Sequence, residues 1–418
     1  MERGISRKSP AMTSGITDRI KVIDVDTHIS EPEDLWTSRV SSKWGDRIPH
    51  VVKAGAAGAA GDASIVQSVA IDRGDTDDIW IVDGKPGMPT ALLAWSGHHE
   101  HWPAHPHSLA EAHAAASNAE ARLQLMDQVG VHANLIFPNV GGSRQYLSIA
   151  RSEPELALEC CRAYNDFLTD WCSLDPNRLL AQVSLPLWDI SACVEEIERN
   201  AAAGHKSVMM TYQPDGYGLP WLADEHWDPI WNATQDAGLP ITFHIDTGRE
   251  MNVWPGYDPE TYLVKLTVLS FIGNTDAISE VIFSGLCHRF PKLDFVSVES
   301  GIGYIPYLLE SMDWQWINLG LDRAHPERDL LPSEYFYRQV YGSFWFEHDS
   351  ALRAIDLIQD NVMYETDFPH PTSITPGAFE FSESASENLE RKFSNTGISD
   401  EILHKVLHDN AAKVYHLD

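Results

Sequence analysis

Short apolar runs alternate along this chain with longer amphipathic stretches. The runs "VIDVDTHI" (22–29), "HANLIFPN" (132–139), "LLAQVSLPLWD" (179–189) and "HKSVMMTYQP" (205–214) read as strands. So do "ITFHIDTG" (241–248), "LDFVSVESG" (293–301), "GSFWFE" (342–347) and "NVMYETDFPH" (361–370). Between them, apolar residues recur at helical spacing. "AEARLQLMDQVG" ends at Gly130, a C-cap, and "EPELALECCRAYNDFLTDWCSLDP" stops at Asp175-Pro176. "SACVEEIERNAAAG" starts with Ser191 as its cap, and "HWDPIWNATQDAGLP", a long segment around 260–283, "YIPYLLESMDWQW" and "ALRAIDLIQ" follow. Eight strands alternating with helices predict a (β/α)8 TIM barrel, with a doubly wound open sheet as the structural rival.

Two stretches fall outside the alternation. Residues 31–108, rich in Gly, Ala, Pro and Trp, read as an inserted lid after the first strand, with "IWIVDG" forming a small hairpin. Residues 383–418 read as closing C-terminal helices. The polar start, residues 1–20, reads as a flexible tail, leaving 21–418 as a single domain.

Composition narrows the function. The 418 residues carry a net charge of -31, which argues against nucleic acid and against anionic membrane surfaces. No apolar run reaches the roughly 18 residues of a membrane helix. The N-terminus has no secretory pattern, and the five cysteines show no framework spacing, so reduced thiols and a cytoplasmic location are expected.

In a barrel, chemistry gathers where strands end. The first strand ends with Asp26-Thr27-His28, the fifth with His244-Ile245-Asp246, the sixth with Glu299-Ser300 and the eighth with Glu365-Thr366-Asp367, followed by His370. Asp24, Asp26 and His28 are two residues apart, which puts them on one face of a regular strand. Buried charge there needs pairing or a metal. Asp26, His28, His244 and Asp367 make a suitable shell for Zn²⁺ or Mn²⁺, with Asp24 in a supporting role. Taken singly, each has a plain reading: His244 as a hydrogen-bonded core histidine, Asp367 as a turn residue. The His-rich 97–113 stretch is read as a solvated or substrate-facing loop, with at most one histidine reaching the mouth. There is no G-x-S-x-G elbow, P-loop or dinucleotide fingerprint.

These residues, with "EPEDLW", "YNDFLTDWCSLDPNRLLAQVSLPL", "HRFPKLDFVSVESGIGYIPYLLESMD" and "YETDFPHPTS", resemble the amidohydrolase superfamily. Within it the likeness is to the branch around aminocarboxymuconate semialdehyde decarboxylase, over about residues 21–375. The resemblance implies one divalent ion held by Asp26, His28, His244 and Asp367. An aspartate in the first position is similar to the carboxyvanillate and resorcylate decarboxylases, and an oxygen ligand there makes Mn²⁺ an alternative to Zn²⁺. Glu299 stands where the semialdehyde decarboxylase has a catalytic histidine. It could move a proton or hold a bound water, and His370 could be a second proton carrier or a turn cap.

Two reactions suit this shell: non-oxidative decarboxylation of an aromatic or conjugated acid, and attack of activated water on a carbonyl, with Asp367 or Glu299 taking the proton and His244 beside them. A metal-free binding barrel is the third reading. Trp36, Arg144 and Arg249 are the candidate substrate contacts, Arg144 as a bidentate grip on a carboxylate. The expected partner is a small organic acid, and the resemblance implies a homo-oligomer.

Overall fold

The computed structural model describes residues 15–55, 77–102, 104–245, 264–265, 268–374 and 383–417. Eight parallel strands form the core: β1 (Ile23–Ile29), β2 (Ala133–Pro138), β3 (Leu179–Leu180 and Gln182–Val183), β4 (Ser207–Met209), β5 (Ile241–His244), β6 (Phe295–Val298), β7 (Val340–Phe344) and β8 (Val362–Tyr364). β3 closes the ring. Its first half pairs with β2 (Asn134 opposite Leu179), its second half with β4 (Val183 opposite Val208), and β1 joins β2 to β8. The fold is the expected barrel; the open sheet is excluded, because both of its free edges would belong to this one strand.

Two apolar layers stabilise it. Inside, Ile23, Val25, Leu135, Phe137, Val296, Val298 and Met363 pack together, and Val414 and Tyr415 of the C-terminal helix close that interior core. Outside, helix faces cover the strands. Helix Ala119–Val129 buries positions 122, 125, 126 and 129, and ends at Gly130, whose φ of 83° suits glycine.

Some boundaries differ from the sequence pattern. The cap of helix Ile190–Ala202 is Asp189, whose side chain accepts from Ala192 N–H, and not Ser191. Two helices, Ser143–Ala150 and Pro154–Cys172, connect β2 to β3 where one was expected. Residues 15–20 are part of the fold and not of a flexible tail: Ile16 and Ile20 are buried, and Ile16 N–H donates to Glu390 at 2.5 Å. The segment around 260–283 is helical over Phe271–Phe283; most of its first half lies outside the described residues. Within the 31–108 excursion, His50–Val52, Ile79–Val82 and Lys85–Pro89 form a three-stranded antiparallel sheet that contains the hairpin read from "IWIVDG". No helix among the described residues is long and apolar enough to cross a membrane.

Candidate metal centre

The centre is built where β1, β5, β6 and β8 end. β1 holds one extra residue against β2: Asp24 is level with Asn134, but Thr27 is level with Ile136. Such a bulge breaks strict alternation of side chains. It corrects the expectation that Asp24, Asp26 and His28 share a face. Asp24 lies on the helix side, in a small pocket with Leu125, Met126 and Val129, while Asp26 and His28 stay at the mouth. Asp24 ties β1 to β8 by accepting Thr366 N–H (3.0 Å) and Thr366 Oγ1–H (2.6 Å). Burial raises its carboxyl to about 7 against the pull of those bonds.

The ends of β1 and β8 are laced together. Asp367 N–H donates to the Asp26 carbonyl (2.9 Å), and His28 N–H to the Phe368 carbonyl (2.6 Å). Asp367 and Glu299 both have left-handed backbones, φ 59° and 54°. A non-glycine residue there costs on the order of 1–3 kcal/mol and persists only where its surroundings hold it. For Glu299 one holder is Glu365, whose Oε2 accepts Glu299 N–H at 3.0 Å.

The donor atoms converge on one point. His28 Nε2 is 3.0 Å from His244 Nε2, 3.4 Å from Asp26 Oδ1 and 3.5 Å from Asp367 Oδ1. His244 Nε2 is 3.7 Å from Asp26 Oδ2 and 3.0 Å from Glu299 Oε2. The protons on the two rings are fixed by their other nitrogens. His28 Nδ1 faces the Pro138 carbonyl (3.3 Å) and His244 Nδ1 the Ile245 carbonyl (2.6 Å), and a carbonyl only accepts. In the neutral rings, both Nε2 lone pairs therefore point at each other and at carboxylates. Burial holds His28 well below the usual imidazole range, so it stays neutral. Asp26 is fully buried and neither of its oxygens receives a hydrogen bond. Burial, opposed by His244 and aided by neighbouring carboxylates, drives its carboxyl well above the ordinary range.

Bare nitrogen and oxygen donors packed this closely are costly unless a cation lies among them. Donor atoms of Asp26, His28 and His244 cluster with Glu299, and Asp367 clusters with His28, Glu299 and His370, so a divalent ion would fit here with Asp26, His28 and His244 as ligands and Asp367 and Glu299 both within reach. His370 stacks on His28 (ring centres 3.6 Å apart), places Nδ1 2.9 Å from Asp367 Oδ1, and aims Nε2 at Asn139 Oδ1 (2.8 Å).

The expected substrate contacts fare differently. Trp36 is a core residue: its indole N–H donates to the Cys160 carbonyl and its ring packs edge-on against Trp80, which corrects the substrate-contact reading. Arg144 sits half-buried in the first turn of helix Ser143–Ala150, beyond the end of β2. Arg249 lies outside the described residues. In the His-rich stretch, His107 pairs with Asp77, and His113 packs edge-on against Phe368.

Three supporting residues escaped the sequence reading. Arg122 and Asn139 are two of them; Glu31, inside "EPEDLW", is the third. It accepts N–H bonds from Asn139, Val140 and Gly141 at 2.8–3.0 Å and so anchors the loop that bears Asn139. Burial raises its carboxyl from 4.5 to about 7. A carboxyl with a raised folded pKa contributes stability that is complete below the unfolded value and is lost as pH rises through the folded one. Parent protein should therefore lose, between pH 5 and pH 8, up to about 3 kcal/mol of its stability advantage over Glu31→Gln, which cannot titrate. Urea unfolding of both proteins in excess chelator measures this; an equal gap at the two pH values would refute it.

A model of the amidohydrolase family matches residues 23–417. The chain belongs to that family. It is an enzyme of the amidohydrolase superfamily, in the branch around aminocarboxymuconate semialdehyde decarboxylase. A γ-resorcylate decarboxylase of Rhizobium sp. strain MTP-10005 is 26% identical over 313 residues, 72% of this chain and 87% of that enzyme. An amidohydrolase of Mycobacterium avium subsp. paratuberculosis superposes with a TM-score of 0.69 at 20% identity, over 95% of this chain and 99% of the other. A 5-carboxyvanillate decarboxylase of Novosphingobium aromaticivorans, crystallised with bound manganese, superposes at 0.62 with 15% identity, over 97% and 100%. These likenesses agree with the barrel derived from β3.

Proposed function

We propose that this enzyme removes CO₂ non-oxidatively from an aromatic or conjugated carboxylic acid, using one divalent ion, Zn²⁺ or Mn²⁺. The observation that carries the reading is the convergence of the His28 and His244 Nε2 atoms with the unbonded Asp26 oxygens, in a chain whose sequence relatives include decarboxylases of such acids. The ion supplies positive charge against the substrate carboxylate and against the electron pair left on carbon as CO₂ departs. Two or three carboxylates beside two imidazoles form a rather hard donor set, which favours Mn²⁺ more than a histidine-only shell would.

The chain's own groups do the rest. Asp26, His28 and His244 hold the centre, and their buried, pre-set geometry avoids reorganisation during the reaction. The C–C bond to the carboxylate breaks, and a proton from Glu299 or Asp367 takes its place on the carbon. Arg144 is our candidate to grip the substrate's acid group. His370, fixed by Asn139, would reprotonate Asp367 from the solvent side. The charge and the absence of a membrane-crossing helix among the described residues suit a cytoplasmic enzyme, and we take it to be a homo-oligomer.

A second reading, hydrolysis, is favoured by Glu299 itself: a carboxylate 3.0 Å from His244 Nε2 is placed to take a proton from water. One screen separates the two. Metal-loaded enzyme is offered hydroxybenzoic and dienoic acids, and separately their amides and esters, while CO₂ and acid release are followed. CO₂ from the free acids, abolished by a chelator and restored by Zn²⁺ or Mn²⁺, is the expected result. Turnover of amides or esters alone would replace decarboxylation with hydrolysis.

A further inference from the structure

We propose that Arg122, on the outer face of the barrel, is a positioning residue of the metal centre, clamping the strand end that presents Asp26 and His28 to the turn that presents Asp367. The inference rests on the metal reading above and extends it to a residue that touches no donor atom.

Arg122 is 1% exposed. It stands on the buried stripe of helix Ala119–Val129 beside Leu125, Met126 and Val129. An apolar side chain there would pack the helix on the barrel without the cost of burying a cation. The guanidinium does what an apolar group cannot: it joins three separate pieces of chain. Nε donates to the Ala115 carbonyl (2.8 Å), in the short turn Ala114–Ala116 that precedes the helix. Nη1 donates to Thr27 Oγ1 (3.1 Å), the residue between Asp26 and His28, and Nη2 to the carbonyl of His28 itself (2.6 Å). The guanidinium carbon lies 4.5 Å from the centre of the Phe368 ring, next to Asp367. The Thr27, His28 and Phe368 contacts each adjoin an expected metal ligand.

A second observation points the same way. A pocket of about 20 Å³ is shared by Arg122, Asp24, Asn134 and Thr366. That is room for one water, which needs roughly 10–15 Å³ and two or more polar partners. The guanidinium and Asp24 thus line one space, and Asp24 already holds Thr366 beside Asp367. The rigid planar fork of arginine suits such a clamp, and a lysine ammonium does not reproduce its geometry.

The test compares the parent with Arg122→Lys, Thr27→Val and a control, Arg178→Met. Arg178 is also a strand-anchoring guanidinium, but it bonds the His132 carbonyl, where β2 begins rather than where strands end. Each protein is stripped, its fold checked by near-ultraviolet circular dichroism, and titrated with Co²⁺ and Mn²⁺ against a competing chelator while the visible Co²⁺ spectrum is recorded. Arg122→Lys should bind either ion about 10–100-fold more weakly, with an altered Co²⁺ spectrum. Thr27→Val, which keeps the cation and removes one anchor together with the Thr27 Oγ1 bond to the Leu135 carbonyl (2.9 Å), should move both readouts in the same direction by less. Arg178→Met should be less stable yet match the parent in both.

Parent-like affinity and spectrum in Arg122→Lys and Thr27→Val would overturn the proposal. Should Arg122→Lys fail to fold, Thr27→Val decides by the same criteria. A parent that takes up neither ion would overturn the metal reading itself; a metal-binding parent with an unaffected Arg122→Lys overturns only this inference.

Discussion

Asp26→Ala and His244→Ala proteins should hold less than about a tenth of the metal bound by the parent and lose about a thousandfold or more in turnover. Asp26 brings the only charge on β1 at the mouth, and both its oxygens are buried without a hydrogen bond. With alanine there, His28 Nε2 and His244 Nε2 still face each other at 3.0 Å, but a cation between them loses its anionic anchor. His244→Ala removes one of the two nitrogens and leaves Glu299 without its 3.0 Å neighbour. Elemental analysis and CO₂ release measure both losses. Trp36→Phe is the matched control: its indole bonds only a core carbonyl, so it should cost about 1–3 kcal/mol of stability and leave metal content unchanged. Full metal occupancy in both ligand variants would place the ion elsewhere.

Much of this centre was legible because strand-end chemistry is written in short, local words. Asp26-x-His28, His244 and Thr366-Asp367 each sit at the end of an apolar run, and eight such runs imply the barrel that brings them together. What local pattern could not supply was the phase of β1. Strict alternation puts Asp24 beside Asp26, and only the pairing with β2 exposes the extra residue that turns Asp24 away. Arg122 left a trace: it is a charged residue on a helical stripe otherwise read as core. That trace names an unusual burial without naming partners, since Thr27, His28 and Phe368 are distant in sequence. Trp36 shows the converse error. A tryptophan after a catalytic strand reads as a substrate platform, yet a large aromatic ring satisfies a core equally well, and here the core has it.

The division of labour between binding and proton transfer turns on Glu299. The Glu299→Gln protein should keep at least about half of the parent's metal while kcat falls about 100- to 10,000-fold. The substitution preserves shape and removes the charge and the titratable proton, leaving an amide that cannot act as a general acid. The Glu299 backbone is already held by Glu365 and by its left-handed turn, so the amide should occupy the same place. Asp26, His28 and His244 remain to hold the ion, with Asp367 Oδ1 3.5 Å from His28 Nε2. Loss of metal in parallel with turnover would make Glu299 a fifth ligand instead of a proton carrier. Retained metal with retained turnover would pass the proton to Asp367, whose partner His370 then becomes the group to vary. Running the parent reaction in D₂O completes the argument: deuterium at the carbon that lost CO₂ is required if a titratable side chain delivers the proton, and its transfer should slow further in Glu299→Gln.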